Sequence, residues 1–200
     1  LEMIAIGAFS PLVGFVDQAE FESICTQMHT TDGHIWPIPI TLAVSNDCRS
    51  KLQDGGRAAL HHRDGTLLAV MDIEQIYPHD KKLEIPNVFR TEDEAHPGVA
   101  AVLEEGDWCV GGPILVLTVT PEKDPGEQFS EYRLPPAKTR EDFEQRGWKT
   151  IAAFQTRNPM HRSHEFLAKI AVEVCNGVLI HQVLGVLKPG DIPADVRVQS

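Results

Sequence analysis

The sequence predicts an α/β chain in two parts, a β-rich amino-terminal region followed by the first βαβ unit of a parallel-sheet domain. Three observations predict it. Up to residue 119, short apolar and β-branched runs recur between turn signals. Beyond residue 135 the pattern changes to a strand-like run at 151–154, an amphipathic stretch at 166–174 and another strand-like run at 178–184. Between the first of these runs and the amphipathic stretch lies Gln155-Thr-Arg-Asn-Pro-Met-His-Arg-Ser-His-Glu165. A polar loop there sits at the carboxyl end of a strand, where open α/β sheets bind their ligands.

The elements follow in order. A short helix is expected over residues 18–28, because Asp17 and Glu20 form a capping-box-like pair and Phe21, Ile24 and Met28 recur at helical spacing. Strand-like runs follow at 38–44, 58–61, 67–73 and 114–119, with Asp64-Gly65 as a hairpin signal between two of them. Pro37 and Pro39 make the first run an edge strand or an irregular start. Residues 121–126 and Leu134-Pro-Pro136 read as connections, which places a domain boundary near residue 135, giving domains 1–135 and 136–200. Thr139 with Asp142 then predicts the start of a short helix that Gly147 stops. Asn158 as N-cap and Pro159 at the first helical position predict a helix from 159 to about 175. Phe166, Leu167, Ile170, Ala171 and Val174 share one side of it, and Asn176-Gly177 ends it. Strand, helix and strand make a βαβ unit with a right-handed crossover. One such unit is less than a domain, so a piece of a longer protein is expected, with an exposed sheet edge and apolar face.

Size and charge narrow the function classes. Two hundred residues at 42% hydrophobic content suffice for one large domain, and mean hydropathy of -0.17 describes a globular chain. No apolar run approaches the ~18 residues of a membrane helix, and the amino end lacks a signal-peptide layout. Cys25, Cys48, Cys109 and Cys175 are widely spaced, which reads as free thiols in a reducing cytoplasm. The net charge of -11 is uneven. Residues 1–134 hold nine Lys and Arg against twenty-two Asp and Glu, whereas residues 135–200 hold nine against seven. The acidic first part argues against nucleic-acid binding, and the second part is the one that tolerates an anionic ligand.

The loop itself points to anion chemistry. A helix start exposes backbone N–H groups and the positive end of the dipole, and Arg157 adds a fixed charge. With Asn158 as cap, His161 falls at the third helical position and His164 one turn later, on one face. Two imidazoles there suit charge stabilisation or proton donation on a phosphate-like leaving group. Metal ligation is the competing reading. Glu165 directly follows the second histidine, so the His-Glu-x-x-His zinc pattern is absent, and no cysteine lies near enough to complete a zinc set. No protein-bound metal is expected. Arg162 and Glu165 read as a solvated helix face or surface pairing, and His181 as strand packing within reach of the site. The charges of Lys188, Asp191 and Arg197 are open to a functional role, although turn and capping roles account for Pro189-Gly-Asp191.

The eleven residues 155–165 strongly resemble the signature of ATP sulfurylase (sulfate adenylyltransferase), a family of nucleotidyltransferases with a His-x-x-His pair. Residues 7–15, Trp36-Pro-Ile-Pro-Ile40, Leu68-Ala-Val-Met-Asp-Ile73, Thr91-Glu-Asp-Glu-Ala-His-Pro-Gly98 and Lys188-Pro-Gly-Asp-Ile-Pro-Ala-Asp-Val-Arg197 are similar to family segments in the same order. The resemblance implies a PUA-like β-rich amino-terminal domain followed by the beginning of a Rossmann-like catalytic domain. It also implies that ATP and sulfate become adenosine 5'-phosphosulfate and pyrophosphate, with magnesium accompanying the nucleotide. By the same resemblance Gln155, Arg157 and Asn158 contact sulfate or nucleotide phosphates, and Thr156 belongs to the active-site loop. His161 and His164 then stabilise charge on the α–β bridging oxygen. A homo-oligomer without nucleic-acid or membrane partners is expected.

One departure matters. The family's second nucleotide-binding motif, Gly-Arg-Asp-His-Ala, is absent from these residues. Two alternatives follow: another nucleotidyltransferase of the same superfamily, or a catalytically incomplete piece with a role in assembly. Ser163 stands where the related His-x-Gly-His motif has glycine, which counts against the first.

Overall fold

The strand Trp108–Val116 organises the first of two units, Leu1–Thr120 and Pro121–Ser200. The structure, a computed structural model, describes residues 1–117, 129, 132, 134–184 and 190–200. The connection expected at 121–126, the end of the run at 114–119, and Lys188 with Pro189 lie outside the described residues. The boundary expected near residue 135 falls inside the second unit, directly ahead of a helix at Pro136–Gln145.

Among the described residues the first unit holds β1 (Gly14–Phe15), β2 (Ala43–Val44), β3 (Arg57–His61), β4 (Leu67–Asp72), β5 (Gln75–Pro78) and β6 (Trp108–Val116). All five shorter strands join the sheet antiparallel, and β6 pairs directly with β1, β2, β4 and β5. A single strand serves so many partners because they divide its length: β2 and β5 pair with its first part, β1 and β4 with its second. Gly112 has φ +145, and a Cβ there would collide with the Asp72 carbonyl. Cys109 and Val110 are both buried, and alternation sends them to opposite faces. Cys109 joins Val16, Phe21, Ile24, Cys25 and Tyr77 on one side, while Val110 joins Met71 and Ile73 on the other. Each large apolar side chain so buried contributes about 1.5–3 kcal/mol.

Helices α1 (Glu2–Ala5), α2 (Gln18–Gln27), α3 (Asn46–Arg49), α4 (Lys81–Phe89) and α5 (Pro97–Glu104) complete the unit. Helix α2 starts as expected, with the Asp17 carboxylate accepting the Glu20 N–H at 2.8 Å, and Phe21, Ile24 and Cys25 form its buried stripe. Met28 is instead an exposed C-cap with φ +56. The hairpin at Asp64-Gly65 forms, closed by His62 N–H on the Thr66 carbonyl. The run at 38–44 shrinks to β2. Pro37 and Pro39 have no N–H to give a ladder; ahead of β2 the Ile40 carbonyl accepts the Val16 N–H and the Leu42 carbonyl the Val110 N–H. Helices α4 and α5 escape the sequence pattern. Pro86 interrupts the helical signal of the first, and His96 caps the second through Nδ1.

The second unit contains α6 (Pro136–Gln145), β7 (Ile151–Thr156), α7 (Arg162–Val174), β8 (Gly177–Gln182) and α8 (Ala194–Gln199). Helix α6 begins four residues before the expected start, because Pro136 fits the first turn and Thr139 donates to the Pro136 carbonyl instead of capping. Strands β7 and β8 pair parallel in register from Ile151 with Gly177 to Thr156 with Gln182. This is the βαβ order read from the sequence. Helix α7 buries no residue, and Phe166, Leu167, Ile170 and Val174 are all exposed.

Candidate active site

The site is built where β7 ends. Thr156 is buried, and its hydroxyl accepts the Asn158 N–H at 3.0 Å and donates to the Asn158 carbonyl at 3.2 Å. That side chain closes a tight turn around Arg157. Asn158 is therefore not the helix cap. Gln182 Nε2, at the end of β8, donates to the Asn158 carbonyl at 3.1 Å and holds the turn from the neighbouring strand.

His161 caps α7 instead, three residues later than the sequence predicted. Its Nδ1 accepts the Ser163 N–H at 3.4 Å, and His164 Nδ1 accepts the His161 N–H at 3.3 Å. This reciprocal arrangement is a capping box made of two histidines. The anion site expected on bare backbone donors is thereby altered. Some of those donors are spent on imidazole nitrogens. Because each Nδ1 accepts a backbone N–H, each neutral ring carries its hydrogen on Nε2. The two ring centroids lie 6.4 Å apart, and His164 rests 5.5 Å from the Phe154 ring.

The remaining expected residues gather at the same place. Gln155 is exposed and donates through Nε2 to His181 Nδ1 at 3.3 Å, across a registered β7–β8 pair. His181 thus stands beside the loop. Arg157 Nη2 meets Asp191 Oδ2 at 2.6 Å. The guanidinium donates this N–H to the carboxylate oxygen. Asp191 is accordingly more than a turn residue. Arg162 is exposed, and Glu165 pairs with Lys169 at 2.6 Å on the solvent side of α7.

Sequence reasoning missed the supports contributed by β8 and α8. Arg197 is buried, and its Nη1 donates to the carbonyls of Arg157 at 3.3 Å and Val183 at 2.5 Å. Ser200 Oγ accepts the Met160 N–H at 2.9 Å. The separations are 40 residues in both Arg197–Arg157 and Ser200–Met160, so no local pattern announces them. A cavity of about 700 Å³ opens beside these supports, lined in part by Thr139, Met160, His181, Gln182, Arg197 and Ser200.

Comparison with known proteins bears directly on this geometry. A family profile described as PUA-like domain matches residues 1–119, and one described as ATP-sulfurylase matches residues 130–200. Residues 1–119 belong to the PUA-like family, and residues 130–200 match the ATP-sulfurylase family. Among curated relatives, a sulfate adenylyltransferase of Chlorobaculum tepidum is 49% identical over 198 residues, covering 98% of this chain and 48% of the relative. One from Psychrobacter cryohalolentis is 46% identical over 204 residues, covering 100% and 48%. The chain therefore spans about half the length of the curated sulfate adenylyltransferases it matches. Among solved structures, a hexameric APS kinase from Thiobacillus denitrificans superposes with a TM-score of 0.67 at 28% identity. That match covers 95% of this chain and 33% of the other. The fold class read from the sequence agrees with these comparisons: a PUA-like region first, then an ATP sulfurylase segment carrying the βαβ unit.

Proposed function

We propose that the protein carrying this chain is a sulfate adenylyltransferase, converting ATP and sulfate reversibly into adenosine 5'-phosphosulfate and pyrophosphate. One observation carries the reading. The turn after β7 gathers an arginine fork and two Nε2–H imidazoles at the carboxyl end of a parallel strand pair. Ser163 Oγ lies 3.2 Å from His161 Nδ1 at the helix cap, but the chemistry needs no protein nucleophile. A sulfate oxygen attacks the α-phosphorus, the α–β bridging P–O bond breaks, and pyrophosphate leaves with the electron pair. Positioning and charge stabilisation do the rest.

Each residue then has a role. Arg157 grips a tetrahedral oxyanion through its planar fork. Gln155 and Asn158 hold sulfate or nucleotide phosphate oxygens, and Thr156 shapes the turn that presents them. His161 and His164 direct Nε2–H toward the bridging oxygen as its charge grows. The loop offers cationic and neutral donors, which suits phosphate oxygens better than a hard cation. Magnesium accompanying the nucleotide would supply shielding of its phosphate charge. A cytoplasmic homo-oligomer fits the reading.

The test is pyrophosphate release from Mg-ATP by the full-length protein, with sulfate or with molybdate as its mimic. Release should depend on the oxyanion, and Arg157→Ala should lower it by a hundredfold or more, in line with ~3 kcal/mol per transition-state contact. Turnover that ignores sulfate and requires an organic phosphate acceptor would sink the reading. Retained activity in Arg157→Ala would move the site elsewhere.

A further inference from the structure

We propose that Arg197 is a positioning residue of the oxyanion-binding turn, an inference that rests on the adenylyl-transfer reading above. Arg197 is 3% exposed, which is unusual for a guanidinium. Its Nη1 bridges two carbonyls that belong to different parts of the site. The Arg157 carbonyl lies in the turn itself, and the Val183 carbonyl lies just beyond β8. Val183 in turn donates its N–H to the Thr156 carbonyl at 2.9 Å. A closed circuit results, running from turn to guanidinium to strand end and back to the turn.

Packing alone does not account for this residue. Its Nε and Nη2 are buried and have no hydrogen-bond partner among the described residues. Burying a cation with one whole edge unpartnered is unfavourable unless something compensates. An oxyanion bound at the adjacent turn supplies compensation without touching Arg197, because the guanidinium charge raises the local positive potential. Ser200 completes the support one turn later on the chain. Its Oγ holds the Met160 N–H and donates to the Arg197 carbonyl at 3.0 Å, fixing the far side of the turn. Arg197 thus orients the main chain of Arg157, while Arg157 makes the contact with the anion.

Arg197→Met, Arg197→Lys and Ser200→Ala in the full-length protein test the proposal through steady-state kinetics and melting temperature. Arg197→Met should raise KM for sulfate tenfold or more, with a smaller fall in kcat. Arg197→Lys should recover part of the loss, because it keeps the charge and reaches one carbonyl. Ser200→Ala should raise KM for sulfate three- to tenfold. A merely structural arginine would lower the melting temperature and leave the KM of folded enzyme unchanged, and that result overturns the proposal. Should Arg197→Met not fold, unchanged sulfate KM in both Arg197→Lys and Ser200→Ala overturns it equally. Wild-type protein that releases no pyrophosphate with sulfate refutes the functional reading instead. Amide exchange over residues 155–161 then decides the positioning role by itself: faster exchange in folded Arg197→Lys or Ser200→Ala supports it, and unchanged exchange in both refutes it.

Discussion

Two histidine sites contrast in how their ring nitrogens are engaged, one by acceptors and the other by backbone donors. In the first unit His79 is wholly enclosed. Its Nε2 meets Glu84 Oε2 at 2.6 Å, its Nδ1 faces the Gly106 carbonyl at 3.1 Å, and Glu105 lies 3.8 Å away. Both nitrogens point at acceptors, so the ring is an imidazolium. Burial pulls its pKa down, yet the hydrogen bonds to Cys109 and Glu84 outweigh that and push it up to about 10. In the second unit His161 is exposed and His164 half-buried, and each spends Nδ1 on a backbone donor. Their Nε2–H groups are left for something else. His79, with two internal acceptors, is part of the core, whereas His161 and His164 are the rings proposed to meet a ligand.

The largest expected effect breaks the first site. Glu84→Ala leaves His79 buried beside no carboxylate at hydrogen-bond distance, and the first unit should lose about 3–5 kcal/mol, read by calorimetry. The pH profile carries a sign. Because the folded-state pKa of His79 lies above its ordinary value of ~6.5, its stabilisation is complete below that pH. It is then lost as pH rises toward about 10. The wild-type melting temperature of this unit should fall across that window, and Glu84→Ala should flatten the fall. A level wild-type profile would mean that the pair is not charged.

The next effect sharpens the second site, where cap and chemistry share one residue. His161→Asn keeps an N-capping side chain but removes the Nε2–H, whereas His161→Ala removes both. Both should lose about a hundredfold in pyrophosphate release. Only the alanine variant should also weaken α7, by ~1 kcal/mol in denaturant unfolding. Full activity in His161→Asn would show that the histidine serves the helix alone.

What the sequence disclosed tracks how local each interaction is. The α2 cap, the Asp64-Gly65 hairpin and the parallel β7–β8 pair depend on neighbours a few residues apart or on plain apolar periodicity, and all were legible. Asn158 misled because a residue suited to capping was drawn into a turn by Thr156, two residues away, a choice propensity does not rank. Helix α4 hid behind Pro86, and β5 is too short and mixed to show a period. At the candidate site, the residues expected to meet the ligand stood in one contiguous motif. Their supports did not. Gln182, Arg197 and Ser200 act through backbone carbonyls and N–H groups, which place no demand on sequence pattern.

The smallest effect concerns how the two units are held together internally. The first has side chains with no exposure at all, among them Ile24, Met71 and Val99, so deleting one surface hydrogen bond there should matter little. In the second, α7 buries nothing, and its connection to β8 leans on Asn176. That side-chain oxygen accepts the Lys149 N–H, the Thr150 N–H and the Thr150 hydroxyl at 3.0–3.1 Å, tying the end of the helix segment to the approach of β7. Asn176→Ala strands three donors near the surface, where water replaces part of what is lost, so the cost should be about 1 kcal/mol. Asn176→Asp keeps the acceptor and should cost less. Faster amide exchange at 149–151 in the alanine variant, with the first unit's exchange unchanged, is the expected reading. Wild-type exchange there would mean that the β7–β8 ladder alone holds the strand, making the second unit more like the first than its exposed helix implies.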